Sequence, residues 1–308
     1  MTTLLDMIDE VSMNLSGYTL QQDRATHITA AVAATSSTIA APITLSLAST
    51  DSVGKGVVEI DEELFWVDNY DRVGNTATIA PYGRAYLGTT LAAHTEGTKV
   101  TIAPTFPRFT IKRAINDTIN AIGASIFAAK TTTITSNSAV SAFRLPTTGA
   151  TLNISKILAI AYQALGSSKE WIPIRSYRFD GNANSTAFTS GQTVSIYDYI
   201  PSGRSVQIVY ATDPAPFTTN AGVFTDVTGL PESCKDLVIL GATYRLLSNL
   251  DPARASMVSP QADETDSKRP YGSSQSLTRQ VYALFNQRLN EEIKNQQDKY
   301  PIRVHYSL

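Results

Sequence analysis

The chain has 308 residues, 43% hydrophobic and 17% charged, with a formal net charge of −2 and a single cysteine. That length supports about two or three domains with real cores. The near-neutral balance excludes a long-range basic field for nucleic acid or anionic lipid, and the lone Cys234 excludes an intrachain disulfide or a cysteine-rich zinc site.

In chain order, the first element is a short amphipathic helix. Thr3 stands at its cap, Asp6 three residues on, and Leu4, Ile8, Val11 and Leu15 share one face before Gly17. The opening MTTLLDMIDEV carries acids where a secretion signal needs a basic flank, so a soluble protein in a reducing cytoplasm is expected. From Thr26 to Ala103 the apolar period becomes two. Strands are predicted over Thr26–Val32, Thr38–Leu47, Gly56–Ile60, Leu64–Tyr70, Thr76–Ala80 and Thr98–Ala103, with a clear turn at Val73-Gly74-Asn75. This segment, 26–104, reads as a small barrel or rolled sheet.

Pro104 and Pro107 mark a change of regime. A helix is predicted from Thr110 to about Ala129, with Ile111, Ile115, Ile119, Ile122 and Ile126 as its stripe. A second β region follows, with strands over Ile154–Leu165, Trp171–Asp180, Gln192–Tyr199 and Arg204–Thr212; the segment 131–229 reads as a sandwich. Pro231 opens a helix reaching about Leu250, with Leu237, Leu240, Tyr244 and Leu247 on one face. Residues 253–275 are polar and read as a long loop, and a last helix is predicted from Ser276 to Lys299. Residues 301–308 leave as an extended tail in which Ile302, Val304 and Tyr306 alternate with Arg303 and His305.

The resulting fold class is α+β. Helices cannot bury their stripes singly, so the segments 1–25, 105–130 and 230–300 are expected to gather as one discontinuous bundle into which two β domains are inserted.

The search for chemistry is thin. His27, His94 and His305 fall in three different elements, and no phosphate-loop, nucleophile-elbow, dinucleotide or zinc-protease motif is present. Glu59 and the run Asp61-Glu62-Glu63 are expected to form a solvated strand edge and turn. His94 and Glu96 share a face if extended, but no nucleophile or metal is signalled beside them. Lys112 and Arg113 are ordinary charges of a solvated helix face, and Tyr197 and Tyr199 are expected to pack across strands. No catalytic residue, cofactor or metal site is assigned.

The stretch YGRAYLGTTLAAHTEGTKVTI, residues 82–102, is the most distinctive. It follows Glu63-Leu64-Phe65-Trp66-Val67 and precedes Pro107-Arg108-Phe109, Ile111 and Ala114-Ile115-Asn116. Together these residues resemble the head-to-tail adaptor proteins of tailed bacteriophages, whose pattern runs through an Arg-Gly pair, Gly-Thr, His, Gly and Val. Here that pattern is Arg84, Gly88-Thr89, His94, Gly97 and Val100, with Gly83 preceding the arginine instead of following it. The similarity covers about 56–126 and 231–306, leaving the second β region as a less typical insertion. On this reading Gly83, Arg84, Gly88, Thr89, His94 and Gly97 form a structural hairpin, with turn glycines at positive φ and Thr89 and His94 bonded to local backbone.

The resemblance implies a virion protein of the neck, assembled in the host cytoplasm. It would form a homo-dodecameric ring beneath the portal protein, joined below to the next neck or tail-completion protein. Double-stranded DNA would pass through its lumen without specific binding, and no membrane is involved. The tail residues Ile302, Arg303, Val304, His305 and Tyr306 would add as a strand to a portal edge. Two rivals remain: a tail accessory that binds receptor or glycan through Trp171, Tyr177 and Tyr199, and a cell-wall hydrolase using Glu59, Asp61 or Glu63.

Overall fold

A computed structural model describes residues 2–19, 23–34, 40–137, 139–145, 154–165, 169–248 and 273–301. The chain is α+β, with helices separated by two β segments. Among the described residues the helices are α1 (Leu4–Thr19), α2 (Arg108–Ile122), α3 (Phe224–Thr228), α4 (Lys235–Leu247) and α5 (Ser273–Lys299). By contact density the chain divides into two compact units. One holds Leu5–Ile115 and Ile239–Val281, the other Met1–Leu4, Asn116–Val238 and Tyr282–Leu308.

The first unit contains a six-stranded antiparallel sheet built from β1 (Arg24–His27), β2 (Ile43–Ser46), β3 (Gly56–Ile60), β4 (Glu63–Asp71), β5 (Thr76–Ile79) and β6 (Lys99–Ile102). Its order is β1-β6-β3-β4-β5-β2. The two edges meet: Ile28 bridges Leu47, Thr29 N–H donates to Ser46 O at 2.9 Å, and Ala48 N–H donates to His27 O at 3.0 Å. The sheet is therefore a closed barrel with no free edge there. Alternation fills it. Val100 and Ile102 of β6 point in with Val58, Ile60, Phe65, Val67 and Ile79, each buried aliphatic or aromatic side chain contributing about 1.5–3 kcal/mol.

Leu4, Ile8, Val11 and Leu15 of α1 are all buried, as the stripe predicts. The helix runs through Gly17 to Thr19, so this glycine does not stop it. In α2, Ile111, Ile115, Ile119 and Ile122 are buried, with Pro107 O accepting the first helical bond from Ile111 N–H.

The helix ends at Ile122, earlier than its stripe predicts, and Ala128 already belongs to a strand. Gly123 lies where a Cβ would sit 3.1 Å from Pro214, and the β-branched run Thr131–Thr135 prefers a pleated surface. Pairing with a partner strand decides the matter. β7 (Ala128–Thr135) matches β13 (Ser205–Thr212) over its whole length.

The second unit completes a sandwich. One sheet has the order β10-β9-β13-β7, with β9 (Ile154–Gln163) and β10 (Trp171–Pro173). The other has the order β11-β12-β8, with β8 (Ala142–Arg144), β11 (Tyr177–Asp180) and β12 (Thr193–Ile196). Ile160, Val206 and Ile208 of the first sheet share one core with Val194 and Ile196 of the second.

The stretch Trp171–Asp180, expected as a single strand, is two strands in different sheets. Pro173 cannot donate to a ladder, and the chain turns there. Arg175 and Ser176 N–H donate to Asp198 Oδ2 at 2.9 and 3.2 Å and hold the corner.

In α4, burial extends beyond one face. Leu237, Val238, Ile239, Ala242, Leu246 and Leu247 are buried while Leu240 and Tyr244 are half-buried, the pattern of a central helix. The predicted 253–275 loop lies almost wholly outside the described residues, and so do Ile302, Arg303, Val304, His305 and Tyr306.

Candidate functional site: a buried ionic cluster beneath the 80–98 loop

Strands β5 and β6 are not neighbours in the barrel, so the segment between them is a crossover loop and not a hairpin. It has to pass over the β3–β4 end of the sheet, and its backbone shows the effort. Tyr82 (φ 59°), Ala85 (φ 49°) and Leu87 (φ 54°) all sit in the left-handed region, beside Gly88 at 80° and Gly97 at 85°. Each non-glycine residue there costs about 1–2 kcal/mol. Gly83 serves by size: a Cβ on it would lie 2.8 Å from Ala80 O and 2.9 Å from Trp66 O.

What holds the loop is Glu63, the first residue of β4, whose side chain is fully buried. Arg84 grips it from both sides, Nε to Oε1 at 3.0 Å and Nη2 to Oε2 at 2.8 Å. The Ala85 and Ala92 N–H groups donate to the same carboxylate at 3.0 and 2.9 Å. Arg84 reaches further, Nη1 to Ala33 O and Nη2 to Ala92 O, so one guanidinium ties three chain segments together. Its face lies 5.1 Å from the Phe65 ring centroid.

His94 completes the cluster. Nε2 lies 3.0 Å from Glu63 Oε2 and Nδ1 lies 2.8 Å from Asp61 Oδ2. Each ring nitrogen therefore faces a carboxylate oxygen, an arrangement that favours the protonated ring. The buried Glu63 carboxylate is thus paired with the buried Arg84 guanidinium, which is how a buried ionic group is tolerated. Thr89 Oγ1 donates to Tyr86 O at 3.0 Å and accepts from Leu64 N–H at 3.1 Å, fastening the loop's middle. The His94 backbone pairs with Val32 in both directions, and Gly97 N–H donates to Ile28 O.

The electrostatics follow the geometry. Burial alone would raise the Glu63 carboxyl, but the hydrogen bonds from His94, Arg84, Ala92 and Ala85 hold it down at about 2. Burial would lower His94, and the bonds to Glu63 and Asp61 outweigh it and raise the imidazole above its usual value. Glu59 behaves oppositely. Burial pushes its carboxyl up to about 7, although Arg108 N–H donates to its Oε1 at 2.6 Å.

All six residues expected in the loop motif are thus in one place. Besides the hairpin, which is a crossover loop, two further assignments change. His94 uses its ring on carboxylates, not on local backbone. Glu59 and Glu63 are not solvated but 3% and 1% exposed, because β3 and β4 carry them into the barrel wall and its capping loop. Asp61 is the solvated member of that run, while Glu62 pairs with Lys112 at 3.0 Å. Tyr197 and Tyr199, expected to pack, are 62% and 84% exposed.

The anchor role of Glu63 was missed. Its signal was available, as an acid opening a strand ahead of the lone arginine of a long uncharged run. Chemically the cluster is saturated. Both His94 ring nitrogens are taken up by carboxylates, and Glu63 is met by five polar partners.

The family described as SU10 adaptor protein matches residues 90–305. The chain belongs to that family. The match begins inside the loop just described, takes in His94 and Gly97, and spans the second β region, which is therefore part of the family's match and not a less typical insertion. No curated protein matches the chain. The family makes this a phage structural adaptor, a class of virion components. Among the described residues no helix is long and apolar enough to cross a membrane.

Proposed function

We propose that this SU10-family adaptor works at the head-to-tail junction, docking on the portal protein and continuing the DNA channel toward the tail. The observation that carries the reading is the family match together with the interleaving of helices and β segments. Helical segments 1–25, 105–130 and 230–300 form the ring-building domain, and the β domains 26–104 and 131–229 are insertions into it. Copies assemble as a homo-dodecameric ring through a heterologous interface that closes by rotation. A near-neutral chain suits a lumen through which double-stranded DNA slides without being gripped at its phosphates. The tail residues Ile302, Arg303, Val304, His305 and Tyr306 add as a strand to a portal edge, and the next neck or tail-completion protein binds the opposite rim.

Imaging of purified portal rings mixed with this protein tests the reading, since a stacked second ring is expected on the portal. Deleting residues 302–308 is expected to abolish co-sedimentation with the portal. Undiminished binding would refute the tail's role, and absence of any stacked ring would refute the junction.

A further inference from the structure

The sandwich unit carries a pocket that the ring-building role leaves unused. A cavity of about 310 Å³ opens beside β8 and β12, lined by Asn137, Ser141, Phe143, Asp198, Tyr199 and Ile200 among others. Its volume is at the lower end of small-molecule sites, room for a mono- or disaccharide. The floor is apolar: Ile196 and Ile200 are buried at 6% and 8% exposure. The rim is polar and already fixed by backbone bonds. Asp198 Oδ2 accepts from Arg175 and Ser176 N–H, and Asn137 Oδ1 accepts from Ala139 N–H at 3.0 Å, which turns the asparagine amide into a positioned donor. Over this stands Tyr199, 84% exposed, and Tyr197 is 62% exposed two residues away.

The lining limits the ligand class. Asp198 is the one charged side chain among the described residues that line it, so phosphate, sulfate and acidic sugars meet repulsion. Hydroxyls, a primary amide and a fixed carboxylate ask for a partner rich in hydroxyl donors, and an exposed aromatic ring asks for a flat apolar face. Few ligands have both. A pyranose has hydroxyls around its edge and C–H groups on its face. We propose that the pocket beside Tyr199 binds a neutral hexopyranose, with Tyr199 stacking on the sugar face and Asp198 and Asn137 bonding its hydroxyls. This site is independent of the portal reading and stands or falls separately from it.

Saturation-transfer NMR on the full chain tests it, using glucose, galactose, mannose, N-acetylglucosamine and N-acetylneuraminic acid as probes. Transfer to at least one neutral hexose is expected, weakened about tenfold in Tyr199→Ala and in Asp198→Asn. Trp171→Ala, which alters an exposed aromatic that does not line the pocket, is expected to leave the transfer unchanged. An unchanged circular dichroism spectrum of Tyr199→Ala, an exposed position, separates lost binding from lost folding. The proposal is overturned if no neutral sugar receives transfer, if the acidic sugar alone does, or if Trp171→Ala and not Tyr199→Ala removes it.

Discussion

The two β modules solve loop closure in different ways. The barrel buries Glu63, Arg84 and His94, with the exposed Asp61 at the cluster's outer end, beneath a crossover loop with three left-handed non-glycine residues. The sandwich holds its corner with Asp198 at the surface and keeps a core of apolar side chains. The difference follows from topology. The barrel's loop must cross the end of the sheet between strands that do not pair, so no continuous ladder satisfies its backbone, and a buried acid takes the Ala85 and Ala92 N–H groups. The sandwich passes between sheets at a proline, where water can serve the free backbone groups.

The largest expected effect is Glu63→Leu, which strands the Arg84 and His94 charges in the barrel and is expected to cost about 3–5 kcal/mol in urea unfolding. A loss under about 1 kcal/mol would show that the cluster is ornamental and that the loop holds itself. In the sandwich, Ile208→Ala is expected to cost about 2–5 kcal/mol, by cavity formation alone and with no pH dependence.

The pH profile sharpens the contrast. Glu63 is depressed from its ordinary 4.5 to about 2, so its contribution is present above 4.5 and lost as the pH falls toward 2. His94 is raised from 6.5, so its contribution is whole below 6.5 and lost as the pH rises through its folded value. Glu59 is raised from 4.5 to about 7, so its contribution is whole below 4.5 and lost as the pH rises through 7. The barrel is therefore expected to be most stable close to pH 4.5, with an alkaline decline that Glu59 begins and His94 extends. His94→Gln is expected to flatten part of that decline, measured as the urea midpoint below 6.5 and well above it. An identical slope in this variant would remove His94 from the account.

A smaller gain is expected from Ala85→Gly. The residue sits at φ 49°, and relief of that strain less glycine's entropy is worth about 0.5–1 kcal/mol. The smallest effect is Lys55→Ala, which removes the 3.7 Å surface pair with Asp68 and is expected to change stability by under about 0.5 kcal/mol.

Much of the fold was legible because it is periodic. The stripe of Ile111, Ile115, Ile119 and Ile122 named a helix, and Val100 and Ile102 named an inward strand face, since each pattern has one geometry that buries it. The limits appeared where local preference met long-range pairing. The helix was expected to run on to about Ala129, and only the register of Ala128 and Ala129 with Thr212 and Ala211 of β13 puts those two residues in a strand instead. Glu63, Arg84 and His94 were each visible as residues, and Gly88 and Gly97 stand at positive φ, but nothing in the spacing said that the loop crosses the barrel end.

The sequence by itself determined an α+β chain, two β segments between helices, and the residues of the 80–98 loop. Only the tertiary structure decided that the loop crosses rather than turns back, that Glu63 is the acid it closes on, and that the His94 ring bridges two carboxylates. Spacing along a chain encodes which face a side chain takes, but the partner of a buried charge comes from strand order, and strand order is set by contacts between residues far apart in the chain.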